Sequence, residues 1–190
     1  MTRDVSKRLG WFKYFFGVVV FMVMACGMAI PGDCTLLKVG ILSEPKTLNP
    51  FLASDSWARM ILRHLNMPLY IYEPKDLRLI PWLAEDYPQY DATQKTVVVK
   101  LKKATWSDGT PFTADDVVFT ANVIQEFKVP RHATRWENVE KVEAVDSHTL
   151  RYTLKEIDAN FESTTLLSLI VQKKYWEPVV EEARKSQSPL

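Results

Sequence analysis

The sequence predicts a mixed α/β (α+β) fold, in which β-hairpins lie beside packed helices. Residues 96–102 place valine and leucine on one side and lysine on the other, which is the period of a strand with one face in water. Residues 139–155 hold two more alternating runs around a polar turn, which predicts a hairpin. Between them, residues 113–128 carry apolar side chains three and four positions apart, as an amphipathic helix does.

Length and composition are those of a globular protein. The chain has 190 residues, of which 47% are hydrophobic and 12% aromatic, and both values argue against disorder. Its 24 basic and 23 acidic residues leave a net charge of +1, without a basic block that could follow a phosphate backbone. We therefore expect no nucleic-acid partner. Two cysteines, Cys26 and Cys34, are too few for a disulfide framework.

Residues 1–30 have the layout of a signal peptide or a lipoprotein signal. Arg3, Lys7 and Arg8 precede an apolar run at residues 14–25, as the basic region of an export signal precedes its apolar region. We therefore expect an exported protein, located in the periplasm or at the outer face of the cytoplasmic membrane.

The end of this segment leaves three interpretations open. Residues 23–26 (Val-Met-Ala-Cys) resemble a lipobox, in which Cys26 would be acylated and would attach the protein to the membrane through a lipid anchor. Cleavage after Ala29 would instead release a secreted protein, since the residues at that point are small. In the third interpretation the segment stays as an uncleaved anchor, although residues 14–30 are short for a membrane span.

The first elements after the signal are a strand and a stiff loop. Residues 37–41 alternate apolar residues with lysine and glycine, which predicts a half-buried strand. Pro45 and Pro50 then hold the residues before them away from helical geometry. The loop at residues 43–50 is therefore expected to be extended.

A helix is predicted at residues 54–65, followed by two hairpins at residues 69–80 and 86–102. His64 falls on the apolar stripe of the helix, and we expect it to be packed or hydrogen-bonded. None of the three histidines has a second ligand at metal-binding spacing. We therefore expect no metal and no cofactor.

Residues 106–118 are the most strongly specified part of the chain. Their Asp-Gly pair and the proline after it are turn residues, because glycine allows a positive φ and proline fixes its own φ. A threonine and an aspartate three positions later have the spacing of a capping box, which starts a helix. The run predicts strand, tight turn and helix. Its structural motif residues are Trp106, Asp108, Gly109, Pro111, Thr113 and Asp116.

This run resembles the signature of bacterial extracellular solute-binding protein family 5, the two-lobed receptors of oligopeptide, dipeptide and nickel ABC importers. Further segments match the family in the same order, at residues 37–50, 81–85 and 142–154. The resemblance implies the N-terminal part of a periplasmic binding protein type II-like clamshell, with a β-hairpin-rich subdomain and packed helices.

Members of this family are several hundred residues long, so the resemblance implies that residues 36–178 form an incomplete portion of the N-terminal lobe. Residues 161–169 predict a buried helix within it, and residues 179–190 predict a solvated helix with a polar tail. A truncated gene or partial sequence, one half of a split receptor, or a shortened relative with a new role would each explain the length.

The resemblance also implies a function. It is that of a non-enzymatic, substrate-binding component of an ABC-type importer, which captures peptides outside the cytoplasmic membrane and delivers them to permease subunits. A nickel-chelate or oligosaccharide receptor of the same family, or a shortened surface interaction protein, is the alternative. An enzyme is disfavoured, because the acidic pair Asp115 and Asp116 would point about 100° apart on a helix instead of converging on a cleft.

Five residues are candidate ligand contacts. In this family the loop after the first strand lines the cleft between the lobes, which implies that Ser43, Glu44 and Pro45 contact the ligand. The alternative is that Glu44 is a solvated loop carboxylate. After the capped helix, Arg135 and Trp136 could grip a peptide carboxylate or stack on a ligand ring. The alternative for this segment is plain surface.

Overall fold

The computed structural model describes residues 36–186. The predicted export signal, Cys26 and Cys34 lie outside the described residues, as do residues 187–190 of the predicted tail. Within the described part of the chain, no helix combines the length and the hydropathy that a membrane span requires.

Residues 36–186 contain both helices and strands. In chain order they are α1 (Ser56–Leu65), β1 (Tyr70–Tyr72), β2 (Leu79–Pro81), β3 (Gln89–Tyr90), β4 (Thr96–Lys100), α2 (Ala114–Glu126), α3 (Ala133–Trp136), β5 (Val139–Asp146), β6 (Thr149–Leu154), α4 (Phe161–Thr164) and α5 (Lys173–Ser186). This mixture confirms the predicted fold class.

The strands form two antiparallel sheets. One is the hairpin of β1 and β2, and the other has four strands in the order β3-β4-β6-β5. Each of the three predicted hairpins is present, because β1 pairs with β2, β3 with β4, and β5 with β6. The pairing of β4 with β6 joins the last two hairpins through residues that are far apart in the sequence, such as Val97 opposite Tyr152.

The core lies between one face of the four-stranded sheet and α2. Val97 and Val99 of β4 are buried, and so is Leu150 of β6, while the lysine at the end of β4 is exposed. From α2, Val117 and Ile124 close the same core. Each such aliphatic side chain stabilises the fold by about 1.5 to 3 kcal/mol when it is fully removed from water. The alternation in the sequence therefore marks the inward face correctly.

The predicted first strand is absent. The chain divides into two units, Met1–Gly40 and Ile41–Leu190, and residues 37–41 form no strand within the described part. Leu37 is 83% exposed. An alternating run becomes a strand only where a neighbouring strand pairs its backbone groups, and no described strand pairs with this run.

The helix α1 is present, but its buried face is rotated from the prediction. Asp55 caps it, accepting a hydrogen bond from the N–H of Ala58 at 2.8 Å. Ala58 and Leu62, four residues apart, form the buried face, whereas His64 is exposed. The expectation that His64 is packed is therefore wrong, because the buried face is rotated by one position from the stripe of larger residues that includes His64.

The C-terminal elements differ in length from their predictions. The buried segment predicted at residues 161–169 contains only the single turn α4, although Phe161 and Leu166 are buried as expected. The last helix, α5, begins at Lys173, so the domain boundary drawn at residue 178 falls inside it. Val180 packs in the main core, which ties the second half of α5 to the fold.

Candidate functional site

The turn before α2 is held together by the side chain of Asp108. Its Oδ1 atom accepts hydrogen bonds from the backbone N–H and the hydroxyl of Thr110, at 3.0 Å and 2.6 Å. Gly109 has a φ of 80°, a conformation that glycine adopts without steric penalty. The predicted tight turn is confirmed, and the strand before it is reduced to a single bridge between Thr105 and Pro111.

Replacing Gly109 by alanine tests this turn. We expect the free energy of unfolding to fall by about 1 to 2 kcal/mol, because a Cβ atom disfavours positive φ. No crowding adds to this, since a Cβ at this position would meet no described atom within 4 Å. Chemical denaturation would measure the change. Gly40→Ala is the control, because Gly40 has open space and no positive φ, and an equal loss in both variants would contradict the prediction.

The carboxylate of Asp116 does more than the predicted capping box requires. The side chain is 6% exposed, and the capping box with Thr113 is present. Oδ2 accepts from the N–H of Thr113 at 3.0 Å and from the indole N–H of Trp106 at 3.2 Å. Oδ1 accepts from the backbone N–H of Lys173 at 2.8 Å. One buried carboxylate therefore joins the turn, the start of α2 and the start of α5.

A second set of contacts ties this corner to the chain before α5. The Gln172 side-chain amide donates to Asp108 Oδ2 at 3.0 Å and to Thr110 Oγ1 at 2.8 Å. Lys174 Nζ lies 3.3 Å from the same carboxylate. These long-range partners cannot be found by spacing, because they lie more than 60 residues from the turn. We call residues 106–118 with residues 171–174 the corner.

The corner predicts a pH dependence of stability. Hydrogen bonds from Thr110, and then from Gln172, hold the pKa of Asp108 well below its usual range. A carboxyl group with a depressed folded-state pKa stabilises the fold above its unfolded pKa, and this contribution is lost as the pH falls. We expect the unfolding midpoints of the wild type and Asp108→Asn to differ at pH 7, and this difference to shrink progressively as the pH falls from about 4 towards the depressed folded-state pKa. A difference that stays constant over this range of pH would contradict the prediction.

The loop with three of the candidate contacts is open to solvent. Ser43 and Glu44 are exposed, Pro45 is half-buried, and the Ser43 hydroxyl donates only to the carbonyl of Glu44, at 3.2 Å, within the described residues. The next residue anchors the loop, since the N–H of Lys46 donates to Asp55 Oδ2 at 3.3 Å. Asp55 also caps α1, so one carboxylate fixes the loop relative to that helix.

The other two candidate contacts, Arg135 and Trp136, differ in their exposure to solvent. Arg135 is exposed on α3, as a ligand contact must be. Trp136 is 3% exposed; its indole N–H donates to Ser168 Oγ at 3.2 Å, and its ring packs beside that of Tyr152. The expectation that Trp136 lies in a surface loop is corrected: a short helix turns the ring inward, where it belongs to the core.

Four arginines surround a cavity of about 140 Å³ between α1 and the segment that leads into α3. Its floor is aliphatic and includes Leu62 and Leu169. The charged and polar residues around it are Arg59, Arg63, Arg131, His132 and Arg135, and we call this site the arginine pocket. Of the five candidate ligand contacts, only Arg135 lines this pocket, because spacing along the sequence does not connect it with the arginines of α1.

His132 is the half-buried member of the arginine pocket. Its Nδ1 atom is buried and has no hydrogen-bond partner among the described residues. Burial, and then the charges of Arg135 and Arg131, lower the pKa of His132. The imidazole is therefore neutral at pH 7 and has one ring nitrogen free to interact with a group that enters the pocket.

Groups that could hold a metal are not found in this part of the chain. Within residues 36–186, no three His, Cys, Asp or Glu side chains are clustered closely enough to bind an ion. The acidic pair of α2 is also divided in role, because Asp115 is exposed while Asp116 is buried among backbone and indole donors. What the site offers chemically is positive charge beside an exposed loop.

Comparison with known proteins gives relatives of one kind. The model of the bacterial extracellular solute-binding proteins, family 5 Middle, matches residues 78–188. The peptidoglycan-binding protein YepA of Agrobacterium fabrum is 38% identical over 143 residues, which are 70% of this chain and 23% of that protein.

Solved structures agree in fold. The oligopeptide-binding protein AppA of Bacillus subtilis, in complex with a nonapeptide, has a TM-score of 0.66 and 30% identity, over 74% of this chain and 28% of that chain. MoaA of A. tumefaciens R10, in complex with mannopinic acid, has a TM-score of 0.65 and 26% identity, over 74% of this chain and 30% of that chain. The chain spans about a fifth to a third of the length of the curated relatives it matches. It belongs to the bacterial extracellular solute-binding proteins of family 5.

Proposed function

We propose that this chain forms part of the solute-binding component of an ABC-type importer, which captures peptides outside the cytoplasmic membrane and delivers them to the permease without altering them. Membership of the family supports this proposal, and so does the nonapeptide complex of AppA, whose fold the described part shares. The observation that carries it is the position of an exposed loop and an open basic pocket on the same capped helix.

Ser43, Glu44 and Pro45 are proposed as contacts for the solute, together with Arg135. The loop suits this role because it is exposed and is attached to α1 through the hydrogen bond of Lys46 with Asp55. Binding a solute would therefore cost little conformational entropy of the loop. Arg135 suits it because a guanidinium group binds a carboxylate through two parallel hydrogen bonds.

The corner contributes to the same function indirectly, by holding helices in place. It fixes α2 and α5 to one another through Asp116, and α2 contacts the segment that carries α3 and Arg135. A receptor that binds loosely specified peptides relies on a rigid frame, because each side chain that must be ordered on binding lowers the affinity. We propose that the corner is this frame and makes no direct contact with the solute.

Export and membrane attachment are part of the proposal. We expect the mature protein in the periplasm or on the outer face of the cytoplasmic membrane, with Cys26 as the site of lipidation if the lipobox is used. Labelling cells with radioactive palmitate tests this point. Incorporation that is lost in Cys26→Ser would support a lipid anchor, whereas an unlabelled wild-type protein would refute it.

Calorimetric titration of the purified protein tests the receptor function. Solutions of an oligopeptide mixture, a nickel–histidine complex and an oligosaccharide are the three arms, and we expect heat of binding only with the peptides. Arg135→Ala should weaken peptide binding about tenfold, because it removes a hydrogen-bonded charge pair. Arg78→Ala is the control, since that arginine pairs with Asp76 away from the pocket. Binding in either of the other arms alone would assign the alternative ligand class, and no binding in any arm would refute the receptor.

A further inference from the structure

We propose that the arginine pocket is an anion-binding subsite and that the solute taken by this protein carries at least two negative charges, as a dicarboxylate or an acidic peptide does. This inference rests on the proposed function and adds the charge class of the solute. The observation behind it is a cluster of guanidinium groups that the protein itself leaves without counter-charge.

The geometry brings the charges together from two parts of the chain. Arg59 and Arg63 are four residues apart on α1, so their side chains emerge from the same face. Arg131 and Arg135 come from the segment around α3, on the other side of the same cavity. All four are exposed, so a solute reaches them without opening the fold.

The protein does not neutralise these charges. Within residues 36–186, no acidic side chain lines the pocket, and none of its four arginines forms an ion pair. Arg59 donates to the hydroxyl of Ser56 and Arg131 to the carbonyl of Ser54, both of which are neutral. Like charges at this spacing destabilise a helix, so the arrangement suits an anion supplied from outside.

Arginines elsewhere in the described chain behave differently. Arg184 pairs with both Glu126 and Glu181, and Arg78 pairs with Asp76. Among the described residues Arg151 forms no ion pair, but it lies opposite Glu143 across β5 and β6, and its charge adds to the hydrogen bond from Lys141 in lowering the pKa of that carboxyl group. The carboxylate nearest to the pocket along α1 is that of Asp55, and its oxygens are taken by the backbone N–H groups of Ala58 and Lys46. The lack of counter-charge is therefore a property of the pocket rather than of arginines in this protein generally.

His132 adds a second, independent feature. Its buried Nδ1 has no partner among the described residues, and a buried polar atom without a hydrogen bond is unfavourable. An acidic group or a water molecule held by an anion in the cavity would provide that partner. The cavity of about 140 Å³ has room for one such group, since a water molecule in the liquid takes about 30 Å³.

The number of arginines indicates the charge of the ligand. A single carboxylate is matched by one bidentate guanidinium, and here four surround one cavity. A solute with two carboxylates, or one sulfate-like dianion, engages two or more of them at once.

Nuclear magnetic resonance of the arginine Nε–H groups tests the proposal on the purified full chain. Glutarate and sulfate are the two dianion probes, acetate is the monoanion control, and sodium chloride keeps the ionic strength constant. We expect both dianions, or glutarate alone if the site is selective for carboxylates, to shift the resonances at concentrations at least tenfold lower than acetate. Arg63→Gln and Arg135→Gln should each weaken this binding about tenfold.

Arg78→Gln is the matched control, since it removes one exposed arginine outside the pocket. Equal affinities for acetate and glutarate, or an equal loss in Arg78→Gln, would overturn the proposal in favour of non-specific screening. Its failure is distinct from a failure of the receptor function. Calorimetric binding of a peptide with both termini blocked, such as N-acetyl-trialanine amide, without any effect of glutarate would refute the anion subsite and leave the receptor intact. Glutarate binding with no peptide bound would refute the peptide receptor and leave the subsite intact.

Discussion

Replacing Asp116 by alanine is expected to lower the free energy of unfolding by about 3 to 5 kcal/mol, because three donors in or near the core lose their acceptor at once. They are the N–H of Thr113, the indole N–H of Trp106 and the N–H of Lys173. Such a loss is a large part of the free energy of unfolding of a typical protein domain, which is about 5 to 15 kcal/mol. Denaturant unfolding followed by tryptophan fluorescence would measure it.

Asp115→Ala is the matched control for this experiment. Asp115 is the adjacent acidic residue of α2, but it is exposed, and its favourable position at the helix N-terminus is worth only about 0.3 to 1 kcal/mol. If Asp116→Ala does not fold, Asp116→Asn can be measured instead, because asparagine keeps one acceptor oxygen. Its loss of unfolding free energy should lie between that of Asp115→Ala and that expected for Asp116→Ala. Equal destabilisation by Asp115→Ala and Asp116→Ala would show that Asp116 acts only through the helix dipole.

Replacing Trp136 by alanine is expected to destabilise the protein by about 3 to 5 kcal/mol, since a buried aromatic ring is replaced by a cavity. The ring packs against Tyr152, which in turn packs edge-on against Phe161, so the cavity would open in the middle of the core. Thermal or chemical unfolding would measure the loss.

Two further variants decide what Trp136 does. Trp82→Ala is the control for removing a tryptophan, because Trp82 is 45% exposed and should lose less than about 1 kcal/mol. Trp136→Phe should keep solute binding, because the ring does not reach the surface. A Trp136→Ala variant that retained its stability but lost solute binding would restore the interpretation of Trp136 as a ligand contact.

Local signals in the sequence predicted the local structure well. The capping box of Thr113 and Asp116, the positive φ of Gly109 and the inward face of β4 all depend on residues within a few positions of one another. Short-range structure of this kind can be predicted from the sequence, because each turn or cap favours the residue types that allow its backbone geometry.

Long-range placement could not be predicted in the same way. The strand expected at residues 37–41 depends on a partner strand, and the burial of Trp136 depends on how α3 turns against β6. The arginine pocket needs α1 and α3 side by side, although Arg59 and Arg135 are separated by more than 70 residues. A signal was available in part: Arg63 has no acidic neighbour at i±3 or i±4, and such an arginine stands out on a helix where salt-bridged pairs are usual.

The central proposal, that the protein binds an acidic solute through Arg135 without altering it, is tested by recovering a solute after binding. An isotopically labelled acidic peptide would be equilibrated with the purified protein by dialysis. The bound peptide would then be released, and its mass would be measured by mass spectrometry. We expect the wild type and Arg78→Gln to retain the peptide and release it with its mass unchanged, whereas Arg135→Gln should retain much less. A peptide returned cleaved or modified, or one that is retained equally by Arg135→Gln, would contradict it.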